Sequence, residues 1–304
     1  MRIVSLLPSG TEMVAALGLE EALVGISHEC DFPASVAPLP RLTSSILQAG
    51  RSPGEIDAAV AEASLAGRPL YAVDGHRLTQ LKPDLIVTQG VCAVCAVTPA
   101  TIDESLRLAP LQATCSAPVL SLEAQDFTGI LCDLKCLGEA AGHVKEAEAL
   151  AADLSERWQE AGRRPQHNPA PRVVMLEWPD PPWYAGHWVP EQVALAGGED
   201  LFGRPGAPSQ RVSEEAVLAA DPDWIFGVAC GFAAATNARA LRERLARSGW
   251  ADLRAARTGR GFARDANGLC SRPGPRVIDG AELLADLLRG QAANSLRALR
   301  VDPV

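Results

Sequence analysis

Four of the chain's eight tryptophan and tyrosine residues fall within eleven positions of the segment Glu177-Trp178-Pro179-Asp180-Pro181-Pro182-Trp183-Tyr184-Ala185-Gly186-His187-Trp188. Trp178, Trp183, Tyr184 and Trp188 offer broad apolar faces with polar edges. Three prolines among positions 179–182 stiffen the backbone that carries them. Read as a loop, the segment suits a large, partly apolar ligand, with the His187 imidazole beside it. The competing reading is that the rings only pack on their own domain.

Two further groups of residues could do chemistry. His28-Glu29-Cys30-Asp31 and Cys92-Ala93-Val94-Cys95 bring together one imidazole and three thiols, His28, Cys30, Cys92 and Cys95. That set is competent for Zn²⁺ or another borderline metal. A redox pair at Cys92 and Cys95, or buried inert thiols, fit the same residues. His28 or His187 could also ligate the metal of a bound chelate. Asp265-Ala266-Asn267-Gly268-Leu269-Cys270-Ser271-Arg272 supplies amide and guanidinium donors through Asn267 and Arg272, suited to a ligand's polar rim. Phe232, just after Cys230-Gly231, adds one more ring at a strand end.

These residues have to be positioned by their elements. Strands are expected at 2–7, 23–27, 69–73, 84–89, 118–123, 172–178, 223–229 and 260–264. Helices are expected near 10–17, 55–66, 99–108, 190–196, 213–219, 236–247 and 276–289. Ser52-Pro53-Gly54-Glu55 and Ser213-Glu214-Glu215 carry cap signatures. Strand and helix alternate, which predicts parallel sheets flanked by helices. From Phe127 to Gly162 the pattern is helical throughout, and its second helix spans about 27 Å at 1.5 Å per residue. The aromatic segment, the His-Cys segment and Cys92 all follow strands, where open α/β sheets bind ligands.

The two halves resemble each other. Arg2-Ile3-Val4-Ser5-Leu6 matches Arg172-Val173-Val174-Met175-Leu176 in type, and Leu81-Lys82-Pro83-Asp84-Leu85-Ile86 matches Ala220-Asp221-Pro222-Asp223-Trp224-Ile225. Two matched pairs in the same order predict two lobes of one design. The expected division is an N-terminal α/β lobe at 1–126, a helical linker with the long helix at 127–170, a C-terminal α/β lobe at 171–290 and a tail at 291–304.

Composition narrows the function. Hydrophobic residues make up 47% and charged residues 21%, which describes a globular chain with a core. Acidic residues outnumber basic ones by 37 to 28, for a formal charge of −9, and no basic stripe marks a nucleic-acid binder. No apolar run reaches the roughly 18 residues of a membrane span. The start Met1-Arg2-Ile3-Val4-Ser5-Leu6-Leu7-Pro8 is too short in its apolar part for a secretory leader. The chain lacks a Gly-X-Ser-X-Gly elbow, a phosphate-cradling Gly-X-X-X-X-Gly-Lys loop and a His-Glu-X-X-His helix. An enzyme is not expected.

Arg2-Ile3-Val4-Ser5-Leu6-Leu7-Pro8-Ser9-Gly10-Thr11-Glu12, Lys82-Pro83-Asp84-Leu85-Ile86-Val87 and Val212-Ser213-Glu214-Glu215-Ala216-Val217-Leu218 resemble helical-backbone (class III) solute-binding proteins of ABC importers, and within them the cobalamin-binding subgroup. The resemblance covers about residues 2–290. It implies two Rossmann-like lobes with parallel sheets, a rigid interlobe helix and a ligand cleft between the lobes. Cobalamin or a related corrinoid would be the transported ligand, with no prosthetic group required. A metal or metal-chelate receptor (haem, siderophore) using the His/Cys cluster is the alternative. The resemblance also implies a monomer in the periplasm or cell envelope and a membrane permease as partner, docked through one glutamate per lobe. Those positions correspond to Glu104 and Glu215. The first lobe has no tryptophan before Trp158, and Ser209 stands where a second-lobe tryptophan would be expected.

Overall fold

The computed structural model describes residues 1–47, 50–90, 97–108, 115–163, 168–291 and 297–301. The chain divides into two compact units. The first comprises Met1–Ala124 with Thr128–Asp153, and the second Gln125–Phe127 with Leu154–Val304.

The first unit is built on a four-stranded parallel sheet of β1 (Ile3–Ser5), β2 (Leu23–Ile26), β5 (Leu85–Gln89) and β6 (Val119–Leu122), in the order β2-β1-β5-β6. A separate antiparallel pair, β3 (Thr43–Ser45) and β4 (Tyr71–Val73), lies outside it. The helices are α1 (Pro8–Ala16), α2 (Pro53–Leu65), α3 (Gly75–Leu81) and α4 (Pro99–Leu108), followed by α5 (Phe127–Ala141). Val4, Leu6, Leu42, Leu78, Ile86 and Ile102 form one buried cluster among them. β1 is buried at every position, as a central strand covered on both faces must be. Pro8 opens α1, where a missing N–H costs nothing. Ser52 and Glu55 form the capping box expected at the start of α2.

The second unit begins within α6 (Val144–Gly162). Its strands are β7 (Arg172–Pro179), β8 (Pro182–Tyr184), β9 (Glu199–Asp200), β10 (Gln210–Arg211), β11 (Trp224–Gly227), β12 (Gly261–Arg264) and β13 (Ala298–Arg300). They run β10-β8-β7-β11-β12-β13, with β9 also beside β7. β7, β11, β12 and β9 are parallel, whereas β8, β10 and β13 join antiparallel. The helices are α7 (Val189–Leu195), α8 (Glu214–Ala220), α9 (Ala234–Leu245), α10 (Arg254–Arg257), α11 (Ala266–Leu269) and α12 (Val277–Leu288). Val174, Val217, Ile225, Leu241, Leu245, Trp250 and Val301 share its core. The Arg157 guanidinium on α6 reaches Asp279 and Glu282 of α12, each at 2.9 Å.

The internal repeat is present in the topology. β2-β1-β5-β6 in the first unit corresponds to β9-β7-β11-β12 in the second, all parallel. α3 and α8, which lead into the matched strands β5 and β11, are each seven residues long. Asp74 and Ser213 cap their starts, and Lys82 and Asp221 end them in the left-handed region at φ 45° and 40°. Pro83 and Pro222 follow and cannot continue a helix.

Each of the eight expected strands is found, seven of them trimmed at their ends and β7 longer by one residue. Two expectations change. The aromatic segment is a strand hairpin rather than a loop, because β7 continues to Pro179 and β8 returns along it. Residues 291–304 are not a plain tail, because β13 within them pairs with β12. The helices of the 127–170 linker divide between the two units.

Candidate functional site

The hairpin places rings by register. Trp178 lies directly opposite Trp183, and Arg211 of β10 lies opposite Trp183 on the other side. Directly opposed residues share a sheet face, so these three side chains form a row. Phe232 extends it, its ring 5.4 Å from Trp178 and tilted by 44°. At the other end the Arg211 guanidinium sits 5.6 Å from the centre of the Trp183 ring. Trp178, Trp183 and Phe232 are half-buried, so each keeps part of its surface open. Sequence reading missed Arg211; its signal would have been a second strand pairing with the aromatic one.

Tyr184 follows Trp183 in the strand and therefore points to the opposite face. There its ring stacks 6.0 Å from Phe202, away from the row. Trp188 departs further from expectation. Its side chain is buried, and its indole N–H donates to the Cys270 carbonyl at 2.6 Å. Trp188 pins the start of α7 to the 265–277 segment, and its burial removes it from the set of exposed rings. Gln192 strengthens the same tie by donating to the Leu269 and Val277 carbonyls at 2.9 and 2.6 Å. Asn267 and Arg272, the expected rim donors, are half-buried on that pinned segment.

His187 sits at φ 56°, held by its N–H to Ala207 and its carbonyl to Gly206 at 2.6 and 3.0 Å. Burial lowers its pKa, so the ring is neutral near pH 7. Its Nδ1 is buried with no hydrogen-bond partner among the described residues. Next to it, the Ser209 hydroxyl donates to Glu177 at 2.6 Å and accepts the Gly186 N–H at 3.0 Å. Ser209 is thus a bracing residue beneath the hairpin.

In the first unit, His28 and Cys30 follow β2 as expected. Thr43 Oγ1 accepts the His28 backbone N–H at 2.9 Å and lies 2.6 Å from the ring Nδ1. Burial, the largest influence, lowers the His28 pKa against the opposing pull of Glu29. The Cys30 sulfur is buried against Thr11 and Ser27 hydroxyls at 3.1 and 3.2 Å, the environment of an inert thiol. Cys92 and Cys95 lie outside the described residues. Among the described residues no three His, Cys, Asp or Glu side chains converge as metal ligands.

Residues 3–267 match the family described as periplasmic binding protein. The chain belongs to that family. It is 25% identical over 291 residues to the vitamin B12-binding protein of Vibrio cholerae serotype O1, covering 95% of this chain and 89% of the relative. It is also 25% identical over 303 residues to the Bacillus subtilis ABC transporter substrate-binding lipoprotein YvrC, covering 94% and 79%. A periplasmic heme-binding protein of Pseudomonas aeruginosa has a like fold, with a TM-score of 0.70 at 23% identity over 99% and 98% of the two chains.

This periplasmic binding protein presents two candidate docking acids. Glu215 is exposed on the first turn of α8, where a helix N-terminus favours negative charge. Its neighbour Glu214 is turned inward onto Arg244 and Trp250 at 2.7 and 3.1 Å. Glu104 is exposed on α4 of the first unit. No helix of the described residues is long and apolar enough to cross a membrane.

Proposed function

We propose that this periplasmic binding protein captures cobalamin or a related corrinoid and delivers it to the permease of an ABC importer, without chemical change to the ligand. The row Phe232–Trp178–Trp183–Arg211 carries the reading. A corrin is broad, partly apolar and fringed with amides. Half-buried rings bury its face, while Arg211 and the Asn267–Arg272 segment supply donors for its edge. The relatedness to a vitamin B12-binding protein along nearly the whole chain supports the same choice. His187 contributes a neutral imidazole beside the hairpin, and Tyr184 and Trp188 shape it from behind. Glu215 and Glu104 dock the permease. The protein acts as a monomer in the cell envelope with no prosthetic group of its own.

A flat metal chelate such as haem is the second reading, favoured by the same aromatic row and by the fold shared with a heme-binding protein. Parallel titrations with cyanocobalamin and hemin separate the two. Saturable one-to-one binding of cyanocobalamin with weaker hemin binding supports the corrinoid, and the reverse order replaces it.

A further inference from the structure

Arg244 on α9 is buried, with 1% of its side chain exposed, and each of its three nitrogens addresses a different group. Nε–H donates to the Pro179 carbonyl at 2.6 Å, Nη2–H to Asp180 Oδ1 at 2.7 Å and Nη1–H to Glu214 Oε1 at 2.7 Å. Pro179 and Asp180 form the tip of the aromatic hairpin, whereas Glu214 opens α8. The other Glu214 oxygen accepts the Trp250 indole N–H at 3.1 Å, and the Trp250 ring lies 5.0 Å from the Arg244 guanidinium. Arg247 holds the second Asp180 oxygen at 2.6 Å. A further bond, Val212 N–H to the Pro182 carbonyl at 3.0 Å, links the returning strand to the residue before the Ser213 cap.

A guanidinium is planar, and its donors keep fixed directions. A shift of the hairpin tip therefore misaligns the bond to Glu214 unless the start of α8 follows. The Arg244 side chain is itself buried, so leaving its donors unpaired is costly and the three segments favour moving together. We propose that Arg244 is a positioning residue that holds the Trp178–Trp183 hairpin and the Glu215-bearing turn of α8 as one body, so that occupancy of the hairpin is felt at the docking turn. This rests on the ligand and docking roles proposed above.

Hydrogen exchange on the folded, full-length protein tests it. Asp180→Asn alters only the hairpin end and Glu214→Gln only the helix end, and neither removes the buried guanidinium. Asp180→Asn is expected to speed exchange of the Ala216 and Val217 amides about fivefold or more, and Glu214→Gln to do the same at Trp183 and Tyr184. Effects confined to the substituted element overturn the inference whether or not any ligand binds. Arg244→Lys, which keeps the charge but loses the fork, should loosen both ends. With cyanocobalamin as probe, the wild type should gain protection at both the hairpin and the first turn of α8, and Asp180→Asn only at the hairpin. Protection of the wild-type hairpin without α8 overturns the inference. Absence of protection at the hairpin overturns the ligand reading instead, and the reciprocal exchange of the two variants still decides the positioning role.

Discussion

The Arg172 backbone N–H donates to the Asp223 carboxylate at 3.0 Å, and the Asp223 N–H returns a bond to the Arg172 carbonyl at 2.9 Å. Arg2 and Asp84 repeat this clasp at 2.7 and 2.8 Å. In each unit one aspartate, placed by a helix that ends at a left-handed residue and a proline, locks the entry of the central strand to its neighbour. The clasp accounts for the matched Pro-Asp segments of the two halves.

Asp223→Ala should destabilise the second unit by about 1–2 kcal/mol, because a partly buried N–H loses a charged acceptor. Asp84→Ala should cost less, about 0.5–1 kcal/mol, since its carboxylate is exposed. Urea unfolding followed by far-ultraviolet circular dichroism, which reports the helices of both units, checks the order of the two midpoints.

Trp188→Phe should cost about 1–3 kcal/mol, the effect of leaving the Cys270 carbonyl unpaired in the interior. Cyanocobalamin affinity should stay within about twofold of wild type, because the ring is not exposed. Thermal melting and calorimetry on the same samples separate the two effects. A large loss of affinity at unchanged stability would return Trp188 to the ligand row.

How far the sequence shows the architecture is clear from these residues. Parallel β1 and β7 are buried on both faces and read as apolar runs, and the Pro-Asp repeats mark where their partners begin, so the two-unit plan is visible. The hairpin is not. Three prolines between Trp178 and Trp183 suggest a loop, but Pro182 tolerates a strand position where it pairs Pro179 at the tip. Ring orientation is also hidden, since Trp183 and Trp188 look alike until strand alternation and the bond to Cys270 set them apart. Arg244 stands 64 residues from Asp180 and carries no local signal of that pairing.

Gly186→Ala should destabilise by about 1–3 kcal/mol. A methyl group there would meet the Ala207, Pro208 and Ser209 backbone at 2.3–2.6 Å, forcing apart the strap that braces Glu177. A chemical denaturation midpoint unchanged from wild type would show that the strap yields freely.

Acid should weaken the hairpin anchor. The Arg247 hydrogen bond, the largest influence, holds the Asp180 carboxyl below its ordinary range despite opposing burial. Glu214 is also held low, Arg244 and Trp250 outweighing a larger single effect of burial. A depressed folded-state pKa means stability present above the ordinary carboxylate range, near pH 4, and lost as pH falls through the folded value. Melting temperature followed from pH 6 to pH 3 should fall more steeply for wild type than for Asp180→Asn. Parallel curves would show that the anchor does not contribute.

The row of Phe232, Trp178, Trp183 and Arg211 is proposed to receive a corrinoid. Calorimetric titration of the wild-type protein with cyanocobalamin, repeated on Trp183→Ala, tests it most directly. A saturable one-site isotherm is expected for the wild type, with affinity falling at least about tenfold in the variant. A flat wild-type isotherm, or equal affinity in both proteins, contradicts it.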